Sequence, residues 1–202
     1  MGKDFLAMDK LSQINIFDRL AAHWDEKYPP ERDKLDCLVR LCDLQPGACV
    51  VDAACGTGSL EPSILGYAPA RVLAVDFSPE MIAAARKKLQ DPRVEYRCAD
   101  LLELTENEND CIFLCSAFQH FENKGSLIRH LHYLLRDEGR LMICSPVGRR
   151  ELNAFCTAHL PELSMPLPQA QTMTNLLQSY FDVDILIDSP AFYAVSGIKR
   201  RF

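Results

Sequence analysis

The run Val50-Val51-Asp52-Ala53-Ala54-Cys55-Gly56-Thr57-Gly58-Ser59-Leu60 joins apolar residues, an acid and two glycines one residue apart. That order predicts a buried strand, a tight turn and a helix N-terminus, with glycine where the backbone turns sharply or approaches a ligand, because it has no Cβ to clash. A second acid, Asp76, closes the next apolar run, Val72-Leu73-Ala74-Val75. A carboxylate at that offset suits a ribose diol, since it can accept hydrogen bonds from both hydroxyls.

A dinucleotide fingerprint carries a third glycine three residues after the second, and here that position is Glu61. Its carboxylate would repel a diphosphate but need not disturb a cationic ligand, which disfavours a nicotinamide-dependent oxidoreductase. No Gly-Lys-Ser/Thr follows, so a phosphate-binding P-loop is excluded. These residues resemble the class I S-adenosylmethionine-dependent methyltransferases. Asp-x-x-x-Gly-x-Gly at 52–58 matches that family's first motif and Asp76 matches its ribose-binding acid. The resemblance is clear over about residues 35–145 and looser at both ends.

The resemblance implies S-adenosylmethionine as cofactor. Asp52, Ala54, Gly56, Thr57 and Gly58 would form the turn under its methionine part, and Asp76 would hold the ribose hydroxyls. Phe77 and Met81 would contact the adenine, a place where core packing is the competing explanation. Asp100, with the backbone of Leu101, would meet the adenine amino edge. Methyl transfer then asks the protein mainly to align the acceptor and exclude water. A general base is needed only if the acceptor must lose a proton.

Ser116-Ala117-Phe118-Gln119-His120-Phe121 lies where such enzymes face the reactive methyl. It lacks the Asn/Asp-Pro-Pro-Tyr/Phe motif of enzymes that methylate planar amino groups. His120 is the candidate catalytic base, because imidazole titrates near neutrality; a packed histidine bonded to backbone is the alternative. In similar enzymes an N-terminal helix folds over the cofactor, which places Ile14, Phe17 and Trp24 in a lid. Phe17, Trp24, Phe118, Arg149, Asn153 and Tyr193 are the expected acceptor-pocket residues, with Arg149 and Arg150 available to an anionic acceptor.

These residues must be held by a single domain, for which 202 residues suffice. Apolar periodicity predicts a helix over 10–23, broken at Tyr28-Pro29-Pro30, and another carrying Leu35, Leu38, Val39 and Leu41. Strands follow at 48–52, 71–76, 94–97, 111–115 and 141–144. Helices intervene after Gly58, after the Ser78-Pro79-Glu80 start signal and over 126–135. Strand–helix alternation implies parallel pairing with right-handed crossovers. Helices near 149–158 and 170–180 flank a proline-punctuated loop, and 183–187 with 191–197 read as a hairpin.

The expected fold is therefore α/β: a Rossmann-like, doubly wound, seven-stranded and mostly parallel sheet with a C-terminal antiparallel hairpin, the strand count coming from the resemblance. Residues 1–45 would form the helical lid, 48–145 the cofactor-binding core and 146–202 the acceptor side of one domain, 1–202. Net charge is −6, with no basic block beyond Lys199-Arg200-Arg201, which disfavours nucleic acid. Nine cysteines without a Cys-x-x-Cys pair disfavour zinc, and no metal site is expected. No signal peptide or membrane span is read, so a reduced, cytoplasmic monomer or homodimer is expected. The expected activity is methyl transfer from S-adenosylmethionine to a small molecule; the alternative is a catalytically silent sensor or assembly protein that binds S-adenosylmethionine or S-adenosylhomocysteine.

Overall fold

The apolar runs form a seven-stranded sheet in the order β3-β2-β1-β4-β5-β7-β6. The strands are β1 (Cys49–Ala53), β2 (Arg71–Asp76), β3 (Val94–Cys98), β4 (Asn109–Cys115), β5 (Leu135–Ser145), β6 (Phe181–Asp188) and β7 (Tyr193–Lys199). A computed structural model describes residues 9–201 of the protein, so residues 1–8 of the expected lid lie outside the described residues. The first five strands pair in parallel, and β7 runs antiparallel to both β5 and β6. The chain builds outward from β1 through β2 to β3, then restarts on the other side with β4 and β5. The strand order therefore reverses between β1 and β4, where open α/β sheets bind ligands at the carboxyl ends of their strands.

The helices are α1 (Lys10–Ala21), α2 (Trp24–Lys27), α3 (Arg32–Leu41), α4 (Glu61–Leu65), α5 (Pro79–Lys88), α6 (Lys124–Leu134), α7 (Arg149–His159) and α8 (Ala170–Leu177). Side chains alternate across a strand, so Val50, Val72, Cys111 and Phe113 pack with Leu35 and Leu38 of α3 and Ile64 of α4. Val51, Leu73, Ile112 and Leu114 face the other way, onto Leu127 and Leu131 of α6 and Met173 of α8. Both faces are covered, which explains the unbroken apolar runs. Each such fully buried side chain contributes about 1.5–3 kcal/mol.

The start signal at Ser78 works as read: its Oγ accepts from Met81 N at 3.1 Å and Pro79 opens α5. Several boundaries differ from the sequence reading, three of them in ways that bear on the site. The expected 10–23 helix stops at Ala21, and a separate turn of helix follows at 24–27. β5 starts at Leu135 rather than Leu141, because Leu135 pairs with Asn109 across an irregular register. The terminal hairpin is longer than expected, and its second strand lies inside the sheet while β6 takes the edge. No helix among the described residues is long and apolar enough to cross a membrane.

Gly148, the N-cap of α7, passes under the bend between β6 and β7. A Cβ there would lie 2.4 Å from the Pro190 carbonyl oxygen. Gly148→Ala is expected to destabilise the fold by about 2–3 kcal/mol through overpacking, read as a lower urea midpoint at unchanged slope.

Candidate active site

The backbone leaving β1 alternates into the left-handed region at Ala54 (φ 56°), Gly56 (φ 56°) and Gly58 (φ 75°). Asp76 holds this turn from the neighbouring strand. Its Oδ2 accepts from Gly56 N and its Oδ1 from Ser78 N, both at 2.9 Å. At Gly56 the direction a Cβ would take is open space. Gly58 has a different reason to be glycine: a Cβ there would meet the Ala85 Cβ at 3.0 Å and Glu61 Oε2 at 3.2 Å. It faces α5 and does not line the cavity, which corrects its expected place among the cofactor contacts.

A cavity of about 680 Å³ opens at the strand ends. On the β1–β3 side it is lined by Asp52, Ala54, Gly56, Thr57, Asp76 and Phe77, with Met81, Asp100 and Leu101 beyond. On the β4–β5 side it is lined by Ser116, Gln119 and His120, and by Leu152, Phe155 and Leu160 from α7 and its end. Ser116 too is left-handed (φ 52°), so both strands at the switch point end in a strained non-glycine bend. Asp100 is already engaged: its Oδ1 accepts from Leu102 N at 2.9 Å, capping the 3-10 turn at 101–103, and its Oδ2 pairs with Lys10.

The N-terminal helices roof this cavity. The Phe17 ring meets Phe77 edge-on at 5.6 Å and His120 at 5.3 Å, so it spans both sides. Trp24 meets Tyr28 at 5.0 Å, and Tyr28 meets Phe155 of α7 at 4.9 Å. Polar contacts fasten the roof to the turn below it. Thr57 Oγ1 donates to Asp25 Oδ1 at 2.6 Å, and Arg32 donates to the Ser59 carbonyl at 2.9 Å. Asp18 accepts from the Ser78 hydroxyl and from Glu80 N.

His120 is packed and bonded to backbone. Its Nδ1 lies 3.1 Å from the Leu163 carbonyl and 3.1 Å from Ser164 Oγ. A carbonyl can only accept, so Nδ1 carries the proton and Nε2 presents a lone pair. Burial pushes the imidazole down to about 4, against the Leu163 hydrogen bond and with help from the Lys124 charge. It is neutral near pH 7 and a weak base. Gln119 stands beside it, 2% exposed. Its Nε2 donates to the Ser116 carbonyl at 2.6 Å and lies 3.3 Å from His120 Nε2, while its buried Oε1 has no partner among the described residues.

Four expected pocket residues are elsewhere. Phe118 is buried in the core, its ring 4.6 Å beneath the Lys124 ammonium. Tyr193 is fully buried where β7 pairs with β5 and β6, because its strand lies inside the sheet. Arg149 points to Asp188 at 2.7 Å, clamping α7 to the end of β6. Asn153 braces the proline-rich loop, exchanging hydrogen bonds with the Leu167 carbonyl and amide at 3.0 and 2.8 Å. None of the four lines the cavity. Gln119, Tyr28, Glu151 and Phe155 do line it and were not chosen. The one signal for the last two was their four-residue spacing, which puts them on one face of α7.

The charge under the turn is unusual. Asp52 Oδ2 and both Glu61 carboxylate oxygens are buried with no hydrogen-bond partner among the described residues. Burial, then Glu61, Cys115 and Asp76, hold Asp52 well above the usual carboxylate range. Burial pushes Glu61 up to about 7, opposed by backbone amides and by Lys88 and Arg32. Asp76 is raised by burial and partly held down by its two amide donors. Among the described residues, no group of three or more His, Cys, Asp or Glu is placed to hold a metal ion.

Comparison with known proteins agrees with this geometry. Residues 51–143 match the family model described as a methyltransferase domain. Malonyl-[acyl-carrier protein] O-methyltransferase of Acetivibrio thermocellus is 30% identical over 136 residues, covering 65% of this chain and 48% of that protein. Trans-aconitate 2-methyltransferase of Methylobacterium nodulans is 35% identical over 138 residues, covering 64% and 52%. The chain spans between about a third and a half of the first curated relatives it matches. The solved N-methyltransferase NodS of Bradyrhizobium japonicum with S-adenosylhomocysteine superposes with a TM-score of 0.71 at 16% identity, covering 93% of this chain and 98% of that one.

Residues 51–143 thus match a methyltransferase domain, and the sheet has the Rossmann-like order of the class I S-adenosylmethionine-dependent methyltransferases that the sequence resembles. The site fits the cofactor of the class: the Gly56 turn leaves room for a close ligand, Asp76 stands at the end of β2, and the cavity volume is within the usual range of about 300–1,000 Å³ for small ligands.

Two outcomes follow from the strained turn and its buried acids. Ala54→Gly removes a left-handed penalty of about 1–2 kcal/mol against about 0.5–1 kcal/mol of glycine entropy. A small rise in melting temperature is expected. Glu61 binds its proton more tightly folded than unfolded, so its contribution favours folding at low pH and is lost as pH rises from about 4.5 through about 7. Glu61→Gln is expected to raise stability relative to the parent at pH 8, on the order of 1–3 kcal/mol. That gain should shrink towards pH 5, as measured by denaturant titration at both.

Proposed function

We propose that the chain is an enzyme that moves a methyl group from S-adenosylmethionine to a small-molecule acceptor. One observation carries this reading: the single cavity has two sides, one built on the glycine turn and Asp76, the other walled by Gln119, His120 and α7 under the same roof. The second side offers room for an acceptor that a nucleoside sensor would not need. When bound, the cofactor supplies a methyl carbon made electrophilic by its sulfonium.

The chain's own residues do the rest. Asp76 accepts from the ribose hydroxyls while its amide donors keep it in place. Phe77 and Met81 flank the adenine, and Asp100 with the Leu101 backbone meets its amino edge. Asp52, Ala54, Gly56 and Thr57 surround the methionine part, and Ser116 closes the space towards β4. Phe17 and Trp24 exclude water from above. His120, neutral near pH 7, shapes the β4–β5 wall as a packed ring, its Nε2 lone pair facing the Gln119 amide, rather than acting as a strong base. The roof of α1 and α2 limits the acceptor to something that fits beneath it, which favours a metabolite over a polymer.

Isothermal titration with S-adenosylhomocysteine tests the reading. The wild type is expected to bind it, and Asp76→Ala to bind at least about 10-fold more weakly, a loss of about 1.4 kcal/mol. A flat titration of the wild type, or equal binding by a folded Asp76→Ala protein, would overturn it.

A further inference from the structure

The β4–β5 side of the cavity is walled by apolar surface that the fold leaves half covered. Trp24, Tyr28, Phe121 and Phe155 are half-buried rings, Pro146 and Val147 are half-buried beside them, and all of them line the cavity. The rings cross, Trp24 on Tyr28 at 65° and Tyr28 on Phe155 at 85°. Phe155 is also stacked on His159 at 4.7 Å, one turn along α7, which holds its ring in place. Crossed rings leave edges and faces open to a further ring, which pairs with them edge-on or offset. Apolar surface left open inside a cavity is covered with a gain in free energy by an apolar ligand.

Charge narrows the choice. Among the described lining residues the one lysine or arginine is Lys10, and it is paired with Asp100. Two further cations near this side are committed elsewhere: Arg149 to Asp188, and Lys124 to the carbonyls of Phe118 and Phe121. An anionic group carried onto these rings would be buried without a counter-charge, which is costly. The carboxylates do little more for a cation. Asp25 is already paired with Lys88, and Glu31 with Lys34. Glu122 and Glu151 are exposed at the opening, where water and salt screen them. The imidazole on this wall, His120, is neutral near pH 7.

Resting on the methyl-transfer reading above, we infer that the acceptor is an uncharged molecule built on an aromatic ring, and that this ring packs against Trp24, Tyr28, Phe155 and Val147. The ring supplies the affinity. Selection against charged molecules comes from the cost of stripping water from a charge that no side chain on this wall repays. A flat, rigid ring also loses little conformational freedom on binding, so such a ligand is held without a polar anchor. Tyr28 and Phe155, one from the roof and one from α7, are then the specificity-determining pair, because their edge-to-face contact at 4.9 Å joins the two walls that the ligand touches.

The test uses the protein saturated with S-adenosylhomocysteine, whose own binding is titrated first. Naphthaleneacetamide, naphthaleneacetate and naphthaleneethylamine carry one ring body with a neutral, an anionic and a cationic end, and each is then titrated by calorimetry. The amide is expected to bind at least about 10-fold more tightly than either charged compound. Phenylacetamide is expected to bind more tightly than cyclohexaneacetamide, its saturated match. Phe155→Ala is expected to lose about 10-fold in amide affinity with S-adenosylhomocysteine binding retained. Val147→Lys puts a cation on the same wall and is expected to invert the order, the acetate binding more tightly than the amide; it serves if the first variant does not fold. An acetate or ethylamine that binds the wild type as well as the amide, a saturated ring that binds as well as the aromatic one, no binding by the amides, or wild-type affinities in both variants would overturn the inference. Failure to bind S-adenosylhomocysteine at all would instead overturn the methyl-transfer reading, and this inference with it.

Discussion

The site depends on one clasp. A single carboxylate, Asp76, takes an amide from the turn after β1 and another from the start of α5. The turn needs it, because Ala54, Gly56 and Gly58 all occupy the left-handed region within five residues, and such a backbone persists only where its surroundings over-determine it. The clasp joins the ends of adjacent parallel strands and places a charged group where a ribose would meet it. Burial raises the carboxyl while the amides hold it down, so the same two bonds preserve both the shape of the turn and the charge of the group.

From that clasp the cavity is built outward. Ser78, next to it, caps α5 with its hydroxyl and gives that hydroxyl's proton to Asp18 of α1. Thr57, inside the turn, reaches Asp25 of α2. The roof is thus fastened to the elements that form the floor, and Phe17 is held across both sides of the chamber. On the far side, α7 is set by the close approach of Gly148 to Pro190 and by the Arg149–Asp188 pair, which together aim Phe155 at Tyr28.

Electrostatics gives the cavity its sign. Asp52 and Glu61 lie buried beneath and behind the turn, and carboxylates also surround the opening. The carboxylates around the opening suit a cationic ligand and repel diphosphate groups, whereas burial disfavours the charged forms of Asp52 and Glu61. Glu61 stands where a dinucleotide-binding turn would carry glycine, and its carboxyl fills the space against Gly58. A residue that looks like a defect in one motif is therefore part of the packing of another.

How much of this was legible beforehand follows from the range of each interaction. The parallel core, the turn at 52–58, the acid after β2 and the Ser78 cap are written in contiguous residues, because strand burial, left-handed turns and caps are satisfied within a few positions of the chain. So was the exclusion of a phosphate loop. The acceptor side was not. Tyr193 was read as a hairpin residue with access to the pocket, but inserting β7 between β5 and β6 buried it. Arg149 and Asn153 stand on the expected helix, yet partners far along the chain, Asp188 and Leu167, took their polar groups. Gln119 emerged only once the fold had satisfied its nitrogen and stranded its oxygen. Local backbone chemistry determines where the glycine turn and its acid must be; which side chains face the β4–β5 side of the cavity is decided by long-range packing, because a polar group's availability depends on every partner the folded chain brings to it.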